Sequence, residues 1–316
     1  MERIITTGDD FVSINQPVVL AMGAFDGIHI GHQAVIVAAK NKAQQLNALS
    51  AVYSFWPHPS IILNCPKQLI LPRVQKVERL KNLGIDYFIE QEFTEMFAET
   101  TASDFIFLLR KKFHYLAGVC VGENFKFGKN CEGDSLFLRN LSQNFIVEIQ
   151  KFVFFENQRV SSSNIRKCLH DGHIDRANRM LGYPYYILGT LCIGRRIART
   201  LGYPTLNVHF ENDLLLKFGV YLVRYRFGRY SEYFWGVGNF GVRPTFFEGV
   251  PKVHLEVHSL DPVIFHSQHE PIEVQFWSYI REEKRFASQE LLVKQIYHDT
   301  IIARHRISHL FKGDMI

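Results

Sequence analysis

Two histidines three residues apart, His29 and His32, stand in the stretch Gly23-Ala24-Phe25-Asp26-Gly27-Ile28-His29-Ile30-Gly31-His32-Gln33. Imidazoles at this spacing donate hydrogen bonds to phosphate oxygens as charge moves during transfer, and the glycines let the backbone approach closely. A zinc pair is the competing chemistry, but zinc wants further Cys or His ligands at fixed spacing, and none is nearby. Two plain surface histidines are the other alternative. The setting favours phosphate. The apolar run Val18–Met22 reads as a buried strand and a helical pattern begins near Gln33. Strand, glycine-rich turn and helix N-terminus together present backbone N–H groups to an anion.

The elements that must hold this turn alternate through the first half. Residues 50–55 read as a second strand, stopped by the prolines of Trp56-Pro57-His58-Pro59. Val74, Val77, Leu80 and Leu83 then repeat at helical spacing, with Gly84 as a stop. A short strand at 87–89 follows. Thr101-Ala102-Ser103-Asp104 resembles a capping box opening a helix with Phe105, Leu108 and Leu109 on one face. Residues 116–121 are another buried strand, leading into Gly122-Glu123-Asn124-Phe125-Lys126-Phe127-Gly128. The alternation predicts a doubly wound α/β domain whose ligands lie at the carboxyl ends of parallel strands.

At 316 residues and 47% hydrophobic, the chain has room for one or two domains with sizeable cores. Aromatic residues make up 14%, with 27 Phe; they fill cores first and stack on ring-shaped ligands second. A net charge of +5 suits anionic small molecules and falls short of the concentrated basic face of a nucleic-acid binder. Five scattered cysteines without a Cys-x-x-Cys indicate a reduced, intracellular protein. With no signal-peptide pattern at the N-terminus and no membrane-length apolar run, a soluble cytoplasmic protein is expected. A homo-oligomer is left open.

Gly-x-Phe-Asp-Gly-x-His-x-Gly-His-Gln resembles the signature of the HxGH nucleotidyltransferases. More narrowly, it is similar to the N-terminal module of the prokaryotic bifunctional riboflavin kinase/FAD synthetases. Three further segments match that family. Phe55-Trp56-Pro57-His58-Pro59 resembles its Phe-x-Pro-His-Pro loop, and the Gly122–Gly128 stretch resembles its Gly-Glu-Asp/Asn-Phe-x-Phe-Gly segment. Val160-Ser161-Ser162-Ser163-Asn164-Ile165-Arg166 resembles its Ser-Ser-Thr-x-Ile-Arg segment, with Ser163 keeping the hydroxyl of the Thr. The resemblance implies catalytic roles for His29 and His32. It implies nucleotide or phosphate binding by Gly23, Phe25, Asp26, Gly31, Asn124, Ser161, Ser162, Ser163 and Arg166, and flavin binding by Pro57, His58 and Pro59. Physically, hydroxyls and N–H groups at a helix start with Arg166 behind them form a second phosphate cradle. Taken alone, the three serines are an ordinary N-cap.

Ile174–Leu181 reads as the last helix of the first half, and Gly182-Tyr183-Pro184 ends it. The expected boundary therefore divides the chain into domains 1–183 and 184–316. Leu-Gly-Tyr-Pro at 181–184 recurs at 201–204 with different flanks, a coincidence and not a repeat. Short strands follow at 186–193, 220–226, 233–237, 253–257 and 272–280, so a small antiparallel β-barrel is expected. A C-terminal helix runs from about Gln289 to His309 with Ser288 as its cap. Its Arg304, His305, Arg306, His309 and Lys312 read as a solvated, dipole-compatible end.

The chemistry of this half is expected in loops. Leu201-Gly202-Tyr203-Pro204-Thr205-Leu206-Asn207 resembles the riboflavin kinase Gly-Phe-Pro-Thr-Ala-Asn motif, which implies nucleotide binding by Gly202 and Pro204. Thr205 and Asn207, two apart, face one side of an extended segment and offer oxygens suited to Mg²⁺. The run 236–246 resembles the family's Asn-x-Gly-x-Arg-Pro-Thr-Phe segment. Leu255-Glu256-Val257-His258 matches its Glu-bearing strand, which puts Glu256 in the place of the catalytic base; a lone Glu in a strand otherwise faces solvent. Residues 280–286 resemble the segment contacting flavin, implying roles for Arg281 and Phe286. Two segments depart from the family: Ala198-Arg199 replaces Gly-Arg, and Phe265-His266-Ser267-Gln268-His269-Glu270-Pro271 replaces a Leu-Tyr-Gly turn. These motifs in order, over roughly residues 15–310, imply an enzyme that phosphorylates riboflavin to FMN and adenylylates FMN to FAD. Its co-substrate is ATP with Mg²⁺. A nucleotidyltransferase for another phosphorylated acceptor and a flavin-binding regulator with relic catalytic groups are the rival readings.

Overall fold

The structure, a computed structural model, describes residues 3–7, 14–142, 144–192, 205–211, 214–228, 231–242, 253–262 and 269–310. The chain divides into two compact units, Met1–Asn164 and Ile165–Ile316.

The first unit is built on parallel strands β1 (Arg3–Thr7), β2 (Val18–Met22), β3 (Leu49–Trp56), β4 (Tyr87–Glu92) and β5 (Leu116–Gly122). Two short hairpins, β6 (Lys126–Phe127) with β7 (Gly133–Asp134) and β9 (Phe154–Phe155) with β10 (Gln158–Arg159), flank β8 (Ile146–Gln150), the sixth strand of the sheet. The order is β1-β4-β3-β2-β5-β8. From β2 onward this is a doubly wound order, with its reversal between β2 and β5, where ligands of such sheets bind. Strand β1, which the sequence pattern did not reveal, adds to the edge beside β4.

Every residue of β2 is buried because both sheet faces are covered. Val18, Leu20 and Met22 join Phe105, Ile106 and Leu109 of α5 (Ala102–Lys112) in one core. Val19 and Ala21 join Val35, Ile36 and Ala39 of α1 (Ile30–Gln45) in the other. Between these helices lie the short α2 (Pro59–Ile62), α3 (Arg73–Asn82) and the short α4 (Glu95–Ala98); α6 (Ser135–Leu141) comes after α5. Thr101 caps α5, its hydroxyl accepting from Asp104 N at 3.1 Å and donating to the Asp104 carboxylate at 2.7 Å. Helix α3 is rotated from the expected face. Val74 is 69% exposed while Gln75 is buried, because Gln75, Val77 and Leu80 turn toward the sheet.

In the second unit, the last part of α7 (Ser162–Asp171) and α8 (Ile174–Leu181) precede the barrel. Gly182 ends α8 in the left-handed conformation, φ 76°. Asn178 of α8 accepts from Tyr185 N and donates to Phe276 O, both at 2.8 Å, so the helix is tied to two barrel strands. The barrel closes through β11 (Tyr185–Cys192), β12 (Thr205–His209), β13 (Gly219–Phe227), β14 (Phe234–Val242), β15 (Val253–Ser259) and β16 (Pro271–Arg281). Its order is β11-β12-β15-β14-β13-β16, and every pair is antiparallel. The helix Gln289–Leu310 lays Ala303 on Val220, Leu222 and Val237, with Leu291 N reaching the Ser288 hydroxyl at 3.4 Å. Its basic end is not simply solvated as expected. Arg304 donates to Leu260 O at 2.7 Å and Arg306 to Tyr279 O at 2.6 Å, because barrel carbonyls lie within reach of both guanidinium groups. Lys312 lies outside the described residues.

Candidate functional site

The histidine turn joins β2 to α1. The helix starts at Ile30, earlier than the pattern near Gln33 indicated, because His29 itself is the N-cap: its Nδ1 accepts from His32 N at 3.2 Å. His32 therefore sits in the first helical turn. The two rings stack at 3.6 Å, and the Phe25 ring meets His32 edge-on at 5.3 Å. Since Nδ1 of His29 is an acceptor, the neutral ring carries its proton on Nε2. A side chain at Gly31 would bring its Cβ to 3.2 Å from the His29 ring, so glycine keeps that ring in place. Phe25 (φ 50°) and Ile28 (φ 36°) both hold left-handed backbone, and Gly27 (φ 84°) lies where a Cβ would meet Ile70 at 2.9 Å. Such strain persists where surrounding structure imposes it.

Neighbouring groups lock the turn. The Asp26 carboxylate, expected at the nucleotide, accepts from Ile70 N at 2.9 Å and Leu71 N at 3.5 Å, so it anchors the adjoining loop. Ser162 donates to Asp26 O at 2.9 Å, bringing the start of α7 to the turn, while Ser161 accepts from Asn164 N at 3.3 Å as an N-cap. Ser163 is exposed, and Arg166 follows on the same helix. Asn124 is exposed in the turn after β5, the strand beside β2, and Gly23 ends β2 with its N–H on Tyr53 O. At the end of β3, Pro57 and Pro59 flank His58, which caps α2 by accepting from Ser60 N at 3.2 Å.

Burial sets the charge of the histidines. Desolvation lowers the His29 pKa from 6.5 to about 4, against a smaller opposing backbone hydrogen bond. His32 is pushed well below its ordinary value by desolvation first, then by the His29 and Lys76 charges. At neutral pH both are neutral hydrogen-bonding groups. The folded pKa of His29 lies below the unfolded one, so its contribution to stability is complete above pH 6.5 and is lost as pH falls toward 4. Each pH unit in that window costs about 1.4 kcal/mol, with His32 adding in the same direction. Thermal melts of the full chain should show the first unit destabilised through this window, and His29→Gln should flatten the dependence.

In the barrel, Thr205 and Asn207, expected in a loop, stand on strand β12, and Glu256 stands on a strand as expected. Asn207 of β12 pairs with Glu256 of β15, which pairs in turn with Asn239 of β14; Thr205 pairs with His258. Cross-strand partners share a face. The intervening Leu206, Val208, Leu255 and Val257 are buried on the opposite face, inside the barrel, so the polar row lines its outside. Asn239 donates to Glu283 at 3.4 Å, and its Oδ1 is buried with no hydrogen-bond partner among the described residues. Arg281, expected at the flavin, grips buried Asp299 through Nε at 2.9 Å and Nη2 at 2.7 Å, with the Phe286 ring 5.9 Å away. Gly202 and Pro204, and both segments that depart from the family apart from residues 269–271, lie outside the described residues. No group of three or more His, Cys, Asp or Glu placed to hold a metal occurs among the described residues.

A family model described as FAD synthetase matches residues 12–164, and one described as Riboflavin kinase matches residues 181–307. The Bifunctional riboflavin kinase/FMN adenylyltransferase of Listeria monocytogenes is 35% identical over 300 residues, covering 93% of this chain and 93% of that protein. The chain belongs to the bifunctional riboflavin kinase/FMN adenylyltransferase family. The protein of that name from Bacillus subtilis is 33% identical, covering 93% of this chain and 94% of its own. A crystal structure named Macrolide-efflux Protein, from Streptococcus pneumoniae, superposes with a TM-score of 0.86 at 27% identity, covering 95% of this chain and 99% of that one. No helix among the described residues is long and apolar enough to cross a membrane.

The two matches divide the residues expected to act. The FAD synthetase match contains the histidine turn, Asn124 and the three serines; the riboflavin kinase match contains Thr205, Asn207, Glu256, Arg281 and Phe286. Asn239 was matched from sequence only as the first residue of the Asn-x-Gly-x-Arg-Pro-Thr-Phe segment, and its pairing with Glu256 is what puts it in the polar row. Lys76 is one more cation on a charged helix until its contact with the turn is seen.

Proposed function

We propose that this chain makes FAD from riboflavin in two steps carried by the residues above. In the kinase domain, Glu256 accepts the proton of the attacking riboflavin alcohol as its oxygen bonds to the γ-phosphorus of ATP and ADP leaves. Thr205 and Asn207 offer a hydroxyl and an amide oxygen on one strand face, beside a carboxylate. This is a fitting donor set for Mg²⁺, which takes most of its ligands from phosphates and water. When bound, the ion neutralises phosphate charge. In the FAD synthetase domain, the FMN phosphate attacks the α-phosphorus of a second ATP and pyrophosphate leaves, while His29 and His32 hydrogen-bond the phosphate oxygens on which charge develops.

The observation that carries this reading is the His29 Nδ1 hydrogen bond to His32 N, which leaves His29 Nε2–H as a fixed, neutral donor at a helix N-terminus. We place the functional boundary at 183/184. Gly182 and the change from alternating to antiparallel pattern support it, although α8 packs with the barrel. Five free cysteines support a cytoplasmic setting. Purified chain given riboflavin and MgATP is expected to form FMN first and FAD later, with products separated chromatographically. FMN that never proceeds to FAD would point to a different phosphorylated acceptor for the first domain, and neither product would point to a flavin-binding regulator.

A further inference from the structure

Lys76, on α3, has no part in the mechanism above, yet it reaches the centre of the histidine turn. Its Nζ donates to Ala24 O at 2.8 Å and to the Ser54 hydroxyl at 2.7 Å, and Ser54 donates to the same carbonyl at 3.2 Å. Three elements, the turn after β2, the end of β3 and α3, therefore converge on one carbonyl two residues before Asp26. A helical lysine ordinarily keeps its ammonium in water. This one is desolvated, which draws its pKa from 10.5 to about 8. The charged groups around it come from four elements. Glu90 on β4 and Asp26 in the turn favour the ammonium, Arg73 on α3 opposes it, and His32 on α1 lies close enough to feel its charge. Glu90 is itself held by Arg73 at 2.7 Å, and its second oxygen is buried without a hydrogen-bond partner among the described residues. A desolvated cation is costly, and a structural tie to one carbonyl needs no charge.

We propose that Lys76 is a positioning residue for adenylyl transfer: by holding Ala24 O and Ser54 it fixes the turn that carries His29 and His32. The inference rests on the assignment of FAD formation to this turn. Phe25 and Ile28 hold left-handed backbone between Ala24 and His29, so the turn would relax if its anchored carbonyl were released. The ammonium also stands against a proton on His32. Its charge acts on the ring in the same direction as the burial and the His29 charge, which come first.

The test uses the full chain, whose kinase activity is an internal control. Lys76→Met keeps the stem and removes the donors and the charge. Its kcat for FMN to FAD is expected to fall about 10–10²-fold, as for other small displacements of catalytic groups. KM for FMN and MgATP stays within a few-fold, and riboflavin phosphorylation is unchanged. The loss falls on kcat while KM holds, a split that a loss of substrate binding would not give. FAD formation close to wild type, or a raised KM with kcat unchanged, overturns the proposal. If Lys76→Met abolishes the thermal transition of the first unit, Ser54→Ala decides, since it removes one partner with little change of volume. A several-fold loss of FAD-forming kcat supports the role, and an unchanged rate overturns it. A wild-type chain that makes FMN but no FAD overturns the assignment on which the inference rests, whereas equal FAD formation by wild type and variant overturns the role of Lys76 alone.

Discussion

Glu256→Gln is expected to lower kcat for riboflavin phosphorylation by about 10²–10⁴ while changing KM for MgATP little. The substitution is nearly isosteric and leaves the outward position between Asn207 and Asn239 intact, but an amide cannot take the proton of the attacking alcohol. Asn207→Ala should behave differently, raising the Mg²⁺ or MgATP concentration needed for half-maximal rate, because its oxygen serves the nucleotide and not the proton. Both variants should still convert supplied FMN to FAD. Steady-state kinetics with each substrate varied separate the two roles, and kinase turnover of Glu256→Gln within a few-fold of wild type would remove Glu256 from the mechanism.

Only one of the two steps needs a base. The second pKa of a phosphomonoester is about 6, so the phosphate of FMN is already mostly dianionic at neutral pH. The first domain accordingly brings together N–H groups, hydroxyls and two neutral imidazoles. Removing one preorganised donor of this kind slows a transfer step by about 10²–10³, and His29→Ala or His32→Ala should cost FAD formation that much. His29→Ala carries a second effect, since the Nδ1 that accepts from His32 N is lost and the first turn of α1 loses its cap. FMN formation should stay near wild type in both. A folded variant that loses both activities equally would be incompatible with this division of labour.

The contiguous parts of this design were legible in the sequence. Val18–Met22 announced a strand covered on both faces because all five residues are apolar, and the glycines around His29-x-x-His32 announced a tight turn into a helix because such turns are written in neighbouring residues. The change from alternating elements to strands alone likewise announced a barrel. Helix, strand and turn propensities act over a few residues, so such features are written locally. The rest depended on residues far apart. No capping rule anticipates an imidazole at the start of α1, and Thr205–His209 became a strand only through pairing with Glu256 and its neighbours as the barrel closed. Arg281 turned to Asp299, and Asp26 to the backbone of Ile70, because those partners were brought within reach across 18 and 44 residues. Lys76 meets Ala24 across 52 residues, and the desolvation that makes its charge consequential exists only once the sheet and helices enclose it. Residue type and spacing by themselves determined which chemistry is present; register, burial and electrostatic surroundings, set by packing between distant segments, decided which groups anchor the turn.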